Sequence, residues 1–222
     1  MMDTPQATEW SVRTEKSRED STTRKALLDA ARTVVSDCGY TRMTVSDITT
    51  AAGVSRATFY VYFSSKKDVF SVLAHEVRDR FLAAQDLRNL DGDDDRAVAF
   101  ATVGAYLDAY TDNLAFLTVL EHQALADADM RALYVETQHR SLRRSARYIE
   151  RLVAAGRADP AAPPDAVARA AGGMLASYAD VVAADPGQRD RVVADATAMF
   201  LRLLGIPHHT NHTEETPDDR HN

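Results

Sequence analysis

The chain has 222 residues, 45% of them hydrophobic and 27% charged, with a formal net charge of −7. That length buries one substantial core, or one core with a small satellite unit, and no run approaches the roughly 18 consecutive apolar residues of a membrane span. The single cysteine, Cys38, excludes an internal disulfide framework, and the polar start MMDTPQATEWSVRTEKSRED lacks the apolar stretch of a secretory signal, so the expected location is cytoplasmic.

Residues 1–20 are polar and aperiodic, and a disordered arm is expected there. From Ser21 onward the pattern is helical. Leu27, Ala31, Val34 and Cys38 recur at helical spacing, with Gly39 placed to end that helix. Cys38 thus falls on the apolar face, as a small buried hydrophobe rather than a redox sensor. Thr44 then precedes a short helix, 45–52, with Asp47 three residues on in capping-box spacing. Gly53 ends it, Ser55 caps a second short helix over 56–62, and Ser65 caps a third, from Lys66 to about residue 87.

Two short helices around a tight turn have the proportions of a helix-turn-helix. Val45, Ile48, Ala52, Val54, Phe59 and Phe63 supply its core. Four residues bring a helix nearly full circle, so Arg56, Ala57 and Tyr60 stand on the opposite face, with Thr58 and Tyr62 flanking. An outward face of that kind suits entry into a DNA major groove. Arg56 has the fork that pairs with a guanine edge, and Ala57 can touch a thymine methyl. The hydroxyls of Thr44, Thr58, Tyr60 and Tyr62, and the ammonium of Lys66, suit phosphate oxygens. Charge distribution permits this: residues 1–80 carry 12 basic and 11 acidic side chains, whereas 81–222 carry 14 and 22.

The block TVSDITTAAGVSRATFYVYFSSKKDVF resembles the signature of the TetR (tetracycline-repressor-like) regulators, with DCGY in the matching place at the end of the preceding helix. The resemblance spans about 21–81 and includes Thr44, Gly53-Val54-Ser55, Thr58, Tyr60, Phe63 and Lys66 at the family's spacing. It implies that Arg56, Ala57, Thr58 and Tyr60 lie in or at the groove, that Thr44, Tyr62 and Lys66 hold phosphates, and that Ser55, at the start of the helix, belongs to the same DNA-binding set. Tyr62 departs from the His or Arg that many members carry there. The resemblance also implies a larger C-terminal unit that dimerises and takes up an effector, whose binding shifts the connecting helix and loosens a palindromic double-stranded DNA operator.

The expected fold is therefore all-α, with about nine helices: an arm over 1–20, a helix-turn-helix head over 21–65, a connecting helix over 66–88, a larger helical effector-binding and dimerisation unit over 89–206, and a disordered tail over 207–222. The Asp91–Asp95 run reads as a solvated turn, since the EF-hand alternative lacks its closing Glu. Helices follow at about 94–111, 113–125, 128–155, 164–184 and 188–205, divided by Pro160, Pro163, Pro164 and Pro186-Gly187. Apolar stripes through Val167, Ala170, Ala171, Met174, Tyr178 and Val181, and through Val192, Val193, Ala196, Met199, Phe200, Leu203 and Leu204, mark the last two helices as the homodimer surface. Candidate ligand-binding residues are Phe100, Val103, Tyr106, Tyr110, Phe116, Leu120, Tyr134, Met174 and Tyr178, which suit a bulky, largely apolar effector.

Glu136 and His139 have the Glu-x-x-His spacing of di-metal bundles, but no second copy exists, and no metal or other cofactor is expected. His208, His209 and His212 are too few for a metal site. Arg140, Arg144, Arg147 and Arg151 form a stripe on the long helix. It reads as a solvated face neutralised by acids such as Glu136 or Glu150, the alternative being a site for an anionic ligand such as an acyl-coenzyme A. An enzyme on a helical bundle is disfavoured, because no nucleophile–base pair or Gly-rich phosphate loop is present. The remaining alternative is a dimeric DNA-binding protein without an effector.

Overall fold

Side-chain caps set where the first helices begin. The computed structural model describes residues 22–86 and 94–206, and within them the chain forms nine α-helices, one short 3-10 turn and no strand. The arm and tail expected at 1–20 and 207–222, the three tail histidines, and Asp91 to Asp93 lie outside the described residues.

Helix α1 (Thr22–Arg42) buries Leu27, Leu28, Ala31 and Val35, and breaks at Gly39, whose φ of 75° leaves the helical path before one further turn. Helix α2 (Val45–Ala52) starts with a reciprocal box. Thr44 Oγ1 accepts the Asp47 N–H at 3.2 Å, and the Asp47 carboxylate accepts the Thr44 N–H at 2.9 Å. Gly53, in the left-handed region at φ 66°, ends it. Helix α3 (Arg56–Tyr62) starts on Ser55, whose Oγ accepts the Thr58 N–H at 3.0 Å. Helix α4 (Lys66–Ala84) starts on Ser65 and ends three residues before the expected 87, in a turn at Gln85.

The body comprises α5 (Asp95–Thr111), α6 (Leu114–Ala124), α7 (Ala128–Ala154), α8 (Pro164–Ala184) and α9 (Arg189–Leu203). Pro186–Gln188 forms the 3-10 turn, so α9 starts one residue later than expected. Asp94, expected in a solvated turn, accepts the Arg96 and Ala97 N–H groups as the cap of α5. Arg189 grips Asp108 through two bonds of 2.7 Å, fixing α9 to α5. No helix among the described residues is long and apolar enough to cross a membrane.

One apolar core runs without interruption from head to body. It passes from Leu27, Ile48, Phe59 and Phe63 along α4, through Phe70, Leu73, Val77 and Phe81, to Leu107, Phe116 and Leu120. Each such Phe or Leu contributes about 1.5–3 kcal/mol by leaving water. A second cluster, around Ile149, Leu152, Val167 and Leu204, closes the far end. Beside the main core sits a polar joint. Asn113 Oδ1 accepts from Arg32 of α1 and Arg80 of α4, each at 3.0 Å, while its Nδ2 donates to the Ala109 carbonyl of α5 at 2.7 Å. Arg32 also pairs with Glu76 at 2.8 Å.

Candidate nucleic-acid interface and interior cleft

The crowded helix α3 divides into two faces. Phe59 is fully buried and Phe63 nearly so, which fixes the helix to α1 and α2. Arg56 and Ala57 are exposed, and Tyr60 is 52% exposed with its ring edge-on to Phe59 at 5.3 Å. Val61, which the sequence reading did not single out, is also 53% exposed. It follows Tyr60 directly, so it widens the outward face with an apolar contact. Tyr62 is half-buried and packs against the core, leaving it less of its surface for a phosphate than expected.

Two expected phosphate ligands have their hydrogens directed elsewhere. Lys66 Nζ donates to the carbonyls of Tyr40, Thr41 and Met43 at 3.0, 3.3 and 3.0 Å, with the Tyr40 ring centroid 4.7 Å away. These three bonds use all of an ammonium's donors, so Lys66 closes the end of α1. The Thr44 hydroxyl donates to Asp47 at 2.8 Å, within the cap. Ser55 and Thr58 share a hydroxyl–hydroxyl bond of 2.9 Å. The side chains left facing outward are Arg56, Ala57, Tyr60 and Val61.

A family model described as bacterial regulatory proteins, tetR family, matches residues 27–73, which span α1 through the first turns of α4. Over those residues the chain is similar to the tetR family of bacterial regulatory proteins. Among the relatives of this chain, an uncharacterised HTH-type regulator, YfiR of Bacillus subtilis, is 32% identical over 88 residues, 40% of each chain. A fatty acid metabolism regulator protein of the same organism is 31% identical over 97 residues, covering 43% of this chain and 50% of that one. The first of these matches thus spans about two fifths of the curated relative's length. A TetR-family regulator from Rhodococcus sp. superposes with a TM-score of 0.71 at 17% identity, over 83% of this chain and all of the other. Salmonella enterica GusR superposes with 0.69 at 18% identity, over 82% and 95%. These structural likenesses show the fold alone, over about four fifths of the chain.

Two cavities among the helices of the body bear on the expected ligand set. A cleft of about 730 Å³ opens between α6, α7 and α8, with Tyr110, Leu114, Leu117, Tyr134, Gln138 and Leu142 among its walls. A smaller, apolar one of about 40 Å³ lies behind it, against Val103, Tyr106, Met174 and Phe200. The expected ligand set is therefore split. Tyr110 and Tyr134 face the cleft, and Val103, Tyr106 and Met174 line the small cavity. Phe116 and Leu120 are core, Phe116 lying against Phe70 with ring centroids 4.7 Å apart. Phe100 is 51% exposed on the outer surface, and Tyr178 packs against the core without lining either cavity. Sequence periodicity could not separate core from cavity, because both lie on inward faces.

The cleft also carries polar groups that the apolar reading missed: Gln138, His139, Arg143, Arg169, Glu121, Asp165 and Asp180. Tyr110 donates to Gln138 Oε1 at 3.1 Å, and burial pushes its phenol up to about 12. Tyr106 donates to Ser141 Oγ at 2.6 Å and is raised further, by burial above all. Both phenols are neutral donors at physiological pH. Glu136, of the Glu-x-x-His pair, is held by Arg78 at 3.1 Å with His75 at 3.8 Å, which occupies its carboxylate in an ion pair.

The expected dimer stripes also shift. Val167, Val192, Val193 and Ala196 are buried inside this chain. What α8 presents outward is Ala166, Ala170, Gly173, Ser177, Val181 and Ala184, an exposed series of small residues at spacings of three and four, beside exposed Met199 of α9.

Proposed function

We propose that this protein is a DNA-binding transcriptional regulator that acts as a homodimer and reads a palindromic operator through α3. The observation that carries the reading is the outward face of that helix. Arg56, Ala57, Tyr60 and Val61 are presented together on a helix locked by its Ser55 cap and by Phe59, and no acidic residue lies within it. The head, 21–65, would be carried by the connecting helix over 66–88. Dimerisation is supported by the small-residue face of α8, which lets a second helix approach closely; two heads must stand about 34 Å apart to enter successive turns of the groove.

The finer reading is a repressor released by a small effector taken up in the 730 Å³ cleft. Its aromatic and leucine walls suit an apolar body, and the Gln138 amide suits one polar group on it. One matched relative is named as a fatty acid metabolism regulator, which agrees with an apolar ligand. Fluorescence anisotropy with duplexes tiling the DNA that flanks the coding region tests the main claim. A specific duplex should bind with steep salt dependence, and Arg56→Ala or Tyr60→Ala should weaken it by about 1–3 kcal/mol. If no duplex is bound above background at low salt, or the two substitutions change nothing, the reading fails. Ligand-induced rises in melting temperature test the effector.

A further inference from the structure

Five arginines of α7, Arg140, Arg143, Arg144, Arg147 and Arg151, project within about a 100° arc at 100° per residue. All five are exposed, and with Leu82 they wall an open groove of about 590 Å³. Of the neutralisation expected from Glu136 and Glu150, only a long pair between Glu136 and Arg140 is present. Glu136 lies 3.9 Å from Arg140 but only 3.1 Å from Arg78, its nearer partner. Among the described residues no carboxylate forms an ion pair with Arg143, Arg144, Arg147 or Arg151. Like charges one helical turn apart repel, so this stripe is unfavourable until something anionic sits over it.

The groove is unlike the DNA face in position. Helix α7 begins beside the head, where Lys67 pairs with Asp129, and the stripe begins roughly 16 Å farther along the axis at 1.5 Å per residue. Its volume suits a small molecule rather than a duplex. Guanidiniums grouped on neighbouring turns can each take a different phosphate of a linked pair or triplet, and the planar fork binds phosphate oxygens two at a time.

We propose that this groove binds a small organic polyphosphate, a molecule carrying two or three linked phosphates. The site is separate from the interior cleft and does not rest on the DNA-binding reading. Arg144 connects it to α4: its Nη1 and Nη2 donate to the carbonyls of Leu82 and Gln85, each at 3.3 Å, at the C-terminal end of that helix. A phosphate on Arg144 competes for the same N–H groups, so occupancy alters how the connecting helix is finished.

Calorimetric titration of the full-length protein, without DNA, tests this with tripolyphosphate and ATP, against sulfate and short polyglutamate at matched ionic strength. The expected result is one site per chain for tripolyphosphate or ATP, at least tenfold tighter than sulfate. An ATP preference would mark a nucleotide, and equal affinity would mark the phosphates alone. Arg143→Ala with Arg147→Ala should lose at least tenfold while keeping the melting temperature, and Arg147→Glu alone should do the same; Arg56→Ala should lose nothing. Affinity no better than sulfate would mean an adventitious ion only and would overturn the proposal. So would full binding by the double variant, or polyglutamate binding as tightly as tripolyphosphate, which would make the groove a site for acidic peptide. Amide exchange in the last turn of α4 should quicken on tripolyphosphate binding; unchanged exchange would sever the link to α4.

Discussion

Replacing Asn113 by Ala removes one small side chain that three helices share. Asn113 is 2% exposed, so its bonds are not readily replaced by water. The substitution takes the acceptor from Arg32 and Arg80 and the donor from the Ala109 carbonyl. Arg80 is exposed and recovers solvent. Arg32 is half-buried, keeps Glu76, and loses one charged hydrogen bond, about 1.5–3 kcal/mol in general; the Ala109 carbonyl adds about 1 kcal/mol. Desolvation already lowers the Arg32 pKa, with the Arg80 charge acting in the same direction, so the like-charged pair is left facing each other without the amide oxygen between them. The expected loss is about 3 kcal/mol. Urea denaturation at fixed protein concentration measures it: the midpoint should fall with the slope unchanged. A loss below about 0.5 kcal/mol would show that the joint relaxes freely, and would refute the claim that it fixes α1 against α4 and α5.

Lys66→Ala separates a capping role from a phosphate role. The variant should lose about 1.5–3 kcal/mol of stability, while the slope of log affinity against log salt for DNA stays unchanged; a slope smaller by about 1 would restore the phosphate contact. Stability should also fall in alkali. A Tyr whose folded pKa is raised binds its proton more tightly when folded, so stability is fully present below the unfolded value near 10.0 and is lost as pH rises from there through about 12, the Tyr110 value. Denaturation at pH 9, 10 and 11 should show the decline, and Tyr110→Phe should flatten it. Gly205→Ala should cost more than about 2 kcal/mol, because φ is 67° there and an added Cβ would fall 1.9 Å from the Asp159 carbonyl oxygen; thermal unfolding reports it.

The head was legible because its rules are local. Thr44 with Asp47, Ser55, and Ser65 announce three helix starts within short reach of the sequence, and Gly53 announces a stop. The outward set of Arg56, Ala57 and Tyr60 follows from helical periodicity once Phe59 is placed inward. The bonds of Lys66 are not legible locally, because its acceptors are Tyr40 and Thr41 of α1 and Met43 just beyond it, more than twenty residues away, and only the crossing of α1 and α4 reveals them. Phe116 and Phe100 were misassigned for a related reason. Periodicity ranks a position as apolar without saying whether its neighbour is another side chain, a cavity or water. The α8 surface likewise depends on how α5 and α7 pack against it, which rotates the buried stripe away from the expected one.

The seal that Lys66 makes on the end of α1 has a mechanical consequence. Its three bonds, together with the Tyr40 ring, weld the first turn of α4 to the segment that leads into α2. A tilt of α4 would therefore carry α2 and α3 with it as one rigid piece, with no slack at the Ser64–Ser65 junction. Any bending between body and head has to work against the joint farther along α4, where Arg32, Glu76, Arg80 and Asn113 meet.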